Sequence, residues 1–93
     1  MANPIATAHA HIARSPDVQG GEPVIKGSRF PVRSVVHRVI YEGETPEELR
    51  RQFPRLSLAA IYDALSYYYD HKREIDAFLQ QQREEVWKKR IKS

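Results

Sequence analysis

The stretch TPEELRRQFPRLSLAAIYDAL, residues 45–65, contains the start signals of two helices separated by a short turn. Thr45 stands before a proline, and Glu48 follows three residues later, which is the pattern of a capped helix with proline at its first position. Pro54 ends this helix early, and Ser57 caps the next one. The stretch therefore predicts two helices with helix-turn-helix spacing.

The second helix of this pair carries an apolar stripe that extends to its end. The residues predicted to be buried are Leu58, Ile61, Tyr62, Leu65, Tyr68 and Tyr69. Tyr67 is expected to point outward beside two carboxylates. Asp70 is a plausible cap for a further helix, in which Ile75, Phe78 and Leu79 resume the apolar face.

A valine-rich segment predicts another helix upstream of the pair. Its apolar residues follow the i, i+3, i+4, i+7, i+8 spacing of one helical face: Val32, Val35, Val36, Val39 and Ile40. Gly43 follows this face and is expected to end the helix in a left-handed conformation. With the pair described above, this segment completes a tri-helical core.

The glycine-rich run GGEPVIKGSRFPV, residues 20–32, reads either as a phosphate-binding loop or as a tight hairpin. A Walker loop needs Gly-Lys-Ser/Thr followed at once by a helix, whereas Lys26 here precedes Gly27. We therefore predict a hairpin with Gly27 at positive φ, preceded by a short strand over residues 11–15. Exposed strand edges invite pairing with a second chain. The candidate dimerisation residues are Val24, Ile25 and Phe30.

Composition limits the class of protein. The chain has 93 residues, of which 41% are hydrophobic and 29% charged, so we expect one folded domain. No cysteine is present, and no segment has the length and apolarity of a membrane helix or the pattern of a signal peptide. We expect a cytoplasmic protein with a flexible N-terminus over residues 1–10, a single domain over 11–79 and a basic helical tail over 80–93.

The turn between the paired helices is the candidate DNA-binding surface. In a helix-turn-helix protein, the start of the second helix enters the major groove. Base-reading side chains are lacking at that position, and Asp63 would repel phosphate, so phosphate contacts should dominate. The candidate residues are Arg50, Arg51, Arg55 and Ser57. A purely structural tri-helical core is the alternative.

The end of the chain combines an apolar face with positive charge. The formal net charge is only +3, yet five basic residues crowd the last segment: Arg83, Lys88, Lys89, Arg90 and Lys92. Such a segment could dock on an acidic protein groove. The candidate residues are Val86, Trp87, Arg90 and Ile91. The alternatives are a solvated helix end, or a Trp87 that folds back onto the body or packs against a second subunit.

The remaining polar residues predict neither a metal centre nor an active site. His9 and His11 have possible metal-ligand spacing, but no third ligand lies near them in the sequence. Nucleophile, base and carboxylate residues show no catalytic spacing. We therefore expect no enzyme, no metal and no cofactor.

Four segments together resemble a known family: GGEPVIKGSRFPV, EGETPEEL (residues 42–49), FPRLSL (53–58) and ALSYYYDH (64–71). In this order they are similar to domain-of-unknown-function family 433, small prokaryotic proteins regarded as antitoxin-like. The resemblance covers roughly residues 12–78 and leaves out the basic tail. Lys72 stands where the family often has proline.

The resemblance implies a homeodomain-like helix-turn-helix fold and a PIN-like ribonuclease toxin as partner. We therefore expect an all-α, tri-helical core with an N-terminal β-hairpin arm and an extended C-terminal helix. The expected function is that of a type II antitoxin, which neutralises its toxin and binds operator DNA as a homodimer. The alternative is a homodimeric protein-interaction module that binds no nucleic acid.

Overall fold

Four helices and a small antiparallel sheet form the part of the chain that the computed structural model describes, residues 5–92, with side-chain surroundings for residues 7–88. The strands are β1 (Ile5–Ala6), β2 (Ile12–Arg14) and β3 (Val24–Ile25). The helices are α1 (Val32–Val36), which continues as a π-helical turn (His37–Tyr41), α2 (Pro46–Gln52), α3 (Leu58–Asp70) and α4 (Lys72–Lys92). The fold is therefore mostly helical.

The sheet has the order β1-β2-β3, and both pairs of strands are antiparallel. The hairpin turn after β3 is confirmed, because Gly27 has a φ of 79° and the Ile25 N–H donates to the Phe30 carbonyl at 2.9 Å. Val24 forms a single bridge to Pro31, which covers the outer edge of β3. One element that the sequence did not predict is β1, which pairs with the outer edge of β2.

The first helix confirms its predicted start but changes its register near its end. Val32, Val35 and Val36 are fully buried. In the π turn the Glu42 N–H donates to the His37 carbonyl at 2.9 Å, five residues back, which rotates the following side chains relative to an α-helix. Ile40, which the spacing of an α-helix places on the same face as these valines, is 37% exposed.

The end of this helix and both predicted caps are confirmed. Gly43 has a φ of 78°, and the Glu44 N–H donates to the Arg38 carbonyl at 2.9 Å, which ends the helix. The Thr45 hydroxyl accepts from the Glu48 N–H at 3.1 Å at the start of α2. The Ser57 hydroxyl accepts from the N–H three residues later at 3.0 Å at the start of α3. These caps satisfy backbone donors that a helix start leaves unpaired.

The buried face of α3 differs from the predicted stripe by about one residue. The residues it buries are Ala60, Ile61, Ala64, Tyr67 and Tyr68. Tyr67, predicted to be exposed, is 2% exposed, whereas Tyr62 and Tyr69 are 49% and 66% exposed. The prediction placed the large apolar side chains on the buried face. The buried face instead contains Ala60 and Ala64, whose small side chains let neighbouring elements approach α3 closely.

The last helix covers the core with its first half only. The predicted break after α3 is confirmed, but His71 rather than Asp70 precedes α4, and its carbonyl accepts from the Ile75 N–H at 3.1 Å. Ile75 is fully buried and Leu79 is 6% exposed. From residue 80 to residue 88 every side chain is exposed. The second half of α4 therefore projects beyond the core.

Candidate partner-binding site

An open groove of about 430 Å³ lies where α4 leaves the core and passes the π turn. We call it the tail groove, and the residues that line it are His37, Tyr41, Leu79, Gln82, Arg83, Val86 and Trp87. Three of these are large apolar side chains with much of their surface in solvent: Tyr41 is 57% exposed, Val86 49% and Trp87 63%. Contiguous exposed apolar surface of this kind marks an interaction site.

The position of Tyr41 is fixed by the core behind it. Its hydroxyl donates to Asp76 of α4 at 3.2 Å, and the buried Tyr68 hydroxyl donates to the same carboxylate oxygen at 2.9 Å. Burial raises the pKa of Tyr68, and its hydrogen bonds to Tyr41 and Asp76 raise it further. Tyr68 therefore remains a neutral donor, and this wall of the tail groove is held in place before any partner arrives.

A chain of polar contacts attaches the middle of α4 to the body. The Gln82 side-chain oxygen accepts from the Arg33 guanidinium at 2.8 Å, and the same guanidinium pairs with Glu22 at 2.8 Å. Burial raises the pKa of Glu22, although the Arg33 charge opposes the shift. Gln82 is thus the last described residue of α4 with a side-chain hydrogen bond to the body.

The charge of the tail groove is positive. Neither Arg83 nor Lys88 has an ion-pair partner within the described residues, although Glu84 and Glu85 lie on the same helix. His37 faces Glu42 at 3.5 Å. An acidic partner would therefore find unpaired positive charge beside the exposed aromatic rings.

Two of the four predicted partner-binding residues, Val86 and Trp87, line the tail groove. The side chains of Arg90 and Ile91 lie outside the described residues. The sequence pattern missed Tyr41 and His37, which form the opposite wall. No local signal could identify them, because they meet Trp87 only through the packing of two helices that are distant in sequence.

The predicted DNA-binding residues lie at the end of α2 and in the turn after it. Arg50, Arg51 and Arg55 are exposed, and none has an acidic partner in the part of the chain that the structure describes. Ser57 is exposed, but its hydroxyl is already engaged as the cap of α3. The three guanidinium groups are therefore available to phosphate.

Asp63, expected to repel phosphate, has both carboxylate oxygens engaged by the N-terminal segment. One of its oxygens lies 3.0 Å from His9 Nδ1, and the other accepts from the His11 N–H at 2.8 Å. The second ring nitrogen of His9, Nε2, lies 2.8 Å from Asp70. Burial lowers the pKa of His9, but the hydrogen bonds and charges of both aspartates outweigh it and hold the pKa above its usual value. We call this contact the His9 clip.

The predicted dimerisation residues are engaged within the chain. Val24 and Ile25 are 4% and 3% exposed and belong to its own core. Phe30 is half-buried, and its ring meets the Phe53 ring edge to face at 4.8 Å between centroids. The structure does not bring these three residues together on an exposed surface, and the homodimer stays a prediction.

The described residues contain neither a helix that could span a membrane nor a cluster of metal-ligating side chains. Between residues 5 and 92, no helix combines the length and the apolarity needed to cross a membrane. Over the same residues, histidine, aspartate and glutamate side chains form no group of three or more placed to hold a metal ion. The His9 ring is occupied by two aspartates, and His11 is exposed.

Comparisons with known proteins identify one family. The chain has no match among curated proteins. A crystal structure of a DUF433 member protein from Anabaena variabilis ATCC 29413 is similar to it, with a TM-score of 0.69 and 28% sequence identity, over 75% of this chain and 68% of that one. The sequence profile of the protein of unknown function DUF433 matches residues 12–68. The chain therefore belongs to the DUF433 family.

Proposed function

We propose that this chain is a non-enzymatic, antitoxin-like protein that binds an acidic protein partner in the tail groove and operator DNA through α2 and α3. The partner expected from the family resemblance is a PIN-like ribonuclease toxin. The observation that carries the proposal is the tail groove itself, which is lined by both Trp87, 63% exposed, and the fixed Tyr41.

The first argument concerns apolar surface. Trp87 and Val86 lie beyond the core, and nothing in the described part of the chain covers them. Tryptophan, tyrosine and arginine are the residues that most often dominate the energy of protein interfaces. The tail groove presents all three types, with Arg83 as the arginine. Burial of these side chains by a partner would stabilise the complex, because apolar surface that is exposed in the isolated chain would be removed from water.

The second argument concerns charge. Arg83 and Lys88 carry positive charge without an ion-pair partner among the described residues. A metal-dependent nuclease gathers carboxylates at its catalytic centre and so offers an acidic groove of opposite sign. Insertion of a basic helix there would both attract the partner and obstruct its active site.

The third argument concerns DNA. The short α2 is followed by the turn of residues 53–57 and by the longer α3, and this order of elements supports the interpretation as a helix-turn-helix pair. Arg55 lies shortly before the N-terminal end of α3, where the helix dipole is positive. Arg50 and Arg51 lie in the last turn of α2. The His9 clip engages both carboxylate oxygens of Asp63, and a protonated His9 offsets part of that charge.

A homodimer that binds no nucleic acid is the second candidate function. The observation that favours it is the same exposed pair, because Val86 and Trp87 of two copies could bury each other. Light scattering at high protein concentration separates the candidates. If Trp87→Ala converts a dimer to a monomer, this second function is supported. If the dimer persists in the variant, the tail groove is free to bind another partner.

Partner binding is tested with a PIN-like ribonuclease that is encoded beside the gene of this chain. We expect the wild-type chain to inhibit its ribonuclease activity, and Trp87→Ala to weaken binding at least tenfold, as expected for an aromatic anchor. Tyr69→Ala is the matched control, since Tyr69 is equally exposed but does not line the tail groove. Equal binding by both variants would contradict the tail groove as the docking site.

DNA binding is tested by gel shift on the promoter of the chain's own operon. We expect affinity to fall steeply with salt, and Arg55→Gln to weaken binding on all sequences, because phosphate contacts dominate. Arg73→Gln, on the exposed start of α4, is the control. No shift at micromolar protein and low salt would refute the DNA part of the proposal.

A further inference from the structure

A second groove, of about 550 Å³, lies between the hairpin turn and the turn that joins α2 to α3. We call it the arginine groove, because an arginine from each turn lines it, Arg29 on one side and Arg55 on the other. No acidic residue is among its lining residues, and neither arginine has an ion-pair partner in residues 7–88. Its volume is in the range of small-molecule sites.

The lining of the arginine groove includes aromatic and other apolar side chains. Phe30 and Phe53 meet edge to face at 4.8 Å between ring centroids, and both remain half-buried rather than enclosed. The Arg38 guanidinium lies 5.2 Å from the centroid of Phe53, which fixes that ring. Pro31 adds a rigid apolar surface. The lining is therefore preformed and offers aromatic surface to a planar ligand.

One polar group in this groove has no partner. The Ser34 side chain is half-buried, and its hydroxyl makes no hydrogen bond to any described residue. By contrast, the hydroxyl of Ser28 is already bonded to the Ile25 carbonyl at 2.7 Å. The arginine groove thus combines aromatic surface, two unpaired guanidinium groups and one free hydroxyl.

We propose that the arginine groove binds a nucleobase that carries a phosphate group. The base would stack on the phenylalanine lining, as bases of single-stranded nucleic acids stack on aromatic side chains and arginine planes. The phosphate would be bound by Arg29 and Arg55, whose guanidinium groups match its oxygens in a two-pronged hydrogen bond. Ser34 would donate to or accept from the base or ribose. This ligand matches both the shape and the charge of the groove.

The proposal is independent of toxin binding, because the tail groove shares no lining residue with the arginine groove. It shares Arg55 with the candidate DNA surface, so Arg29 is the better position for a test. The Arg29 side chain is exposed, and only its carbonyl is bonded, to Gln19 at 3.3 Å. A change of the side chain at this position should therefore leave the fold intact.

The test is an NMR titration of the full chain with adenosine monophosphate, adenosine, inorganic phosphate and a five-nucleotide RNA. We expect adenosine monophosphate to shift the amide signals of Phe30, Ser34 and Phe53, and to bind about tenfold more tightly than adenosine or phosphate alone. Arg29→Gln should weaken this binding about tenfold, whereas Arg73→Gln, outside both the groove and the candidate DNA surface, should not.

The RNA separates two sources of the same chemistry. Tighter binding of the RNA than of the mononucleotide assigns the arginine groove to a nucleic acid strand, and equal or weaker binding assigns it to a free nucleotide. The proposal is overturned if adenosine monophosphate gives no saturable shift by about 10 mM, which is weaker than a specific site. It is equally overturned if adenosine binds as well, or if the acidic peptide Glu-Phe-Glu binds more tightly.

Discussion

The two halves of α4 follow the same helix but have opposite surroundings. Ile75 is fully buried and Leu79 is 6% exposed, whereas Val86, seven residues beyond Leu79, is 49% exposed. Both halves carry apolar residues, separated by the polar run of residues 80–85, and only the first half has a surface to pack against. An apolar stripe therefore predicts a buried face, but it does not say whether this chain or a partner buries it.

The comparison also explains why the projecting half is helical. A short segment on its own forms a helix only marginally, because the first turn is costly to order. In α4 that first turn is already fixed by the core, so residues 80–88 extend an existing helix. The core is stabilised by the burial of apolar side chains, whereas the helix over residues 80–88 is stabilised because it extends a helix that the core already holds.

The largest expected effect contrasts two apolar truncations on α4. Ile75→Ala should lower the free energy of unfolding by about 3 kcal/mol, because it removes fully buried atoms and leaves a cavity. Val86→Ala should lower it by less than about 0.5 kcal/mol, because little contact is lost. Urea unfolding of both variants measures the difference. Similar losses for the two would mean that the projecting half is part of the core.

The second expected effect is the loss of the His9 clip, which belongs to the body. His9→Gln should lower the free energy of unfolding by about 2 kcal/mol at pH 6, since it removes hydrogen bonds between charged groups at a side chain that is 10% exposed. His11→Gln is the matched control, because His11 is exposed and contacts Asp63 only through its backbone.

The pH dependence of the His9 clip follows from the sign of the shift. The pKa of His9 is raised in the folded chain, so its stabilisation is complete below the ordinary pKa of 6.5 and disappears as the pH rises through the folded pKa. Around the ring, the described groups are Asp63 and Asp70, with Tyr67 at 5.3 Å between centroids. A wild-type unfolding profile that matches His9→Gln from pH 6 to pH 9 would rule the clip out.

The third expected effect concerns the helix caps within the body. Ser57→Ala and Thr45→Ala should each lower the free energy of unfolding by about 1 kcal/mol, because each leaves a backbone N–H of the first turn without its side-chain acceptor. Ser66→Ala, exposed within α3, should have almost no effect. If the control lost as much stability as the caps, the removal of a hydroxyl in general, rather than capping, would explain the result, because alanine is the better helix former at this position.

The smallest expected effect is the removal of the projection itself. Truncation after Gln82 should change the free energy of unfolding by less than about 0.5 kcal/mol, because every described side chain beyond it is exposed. The same truncation should abolish partner binding. A much lower melting temperature would show that residues 83–93 stabilise the body, and the comparison between the two halves of α4 would then fail.

Local signals in the sequence determined the helices and turns. Thr45 and Ser57 cap, Gly27 and Gly43 adopt positive φ, and a break follows α3, as their local chemistry requires. Each of these depends on a few neighbouring residues, because capping and turn geometry involve hydrogen bonds over three to six positions. The same local pattern predicted Val86 and Trp87 as apolar side chains outside the small core, and both are exposed.

Only the tertiary structure decided which faces are buried. The rotation of α3 that buries Tyr67 and exposes Tyr69 depends on close packing at its alanines, and the exposure of Ile40 depends on a π turn. The His9 clip joins residues 54 and 61 positions apart, and the tail groove joins Tyr41 to Trp87. Such contacts have no local signature, because their energy arises only when distant segments meet and exclude water.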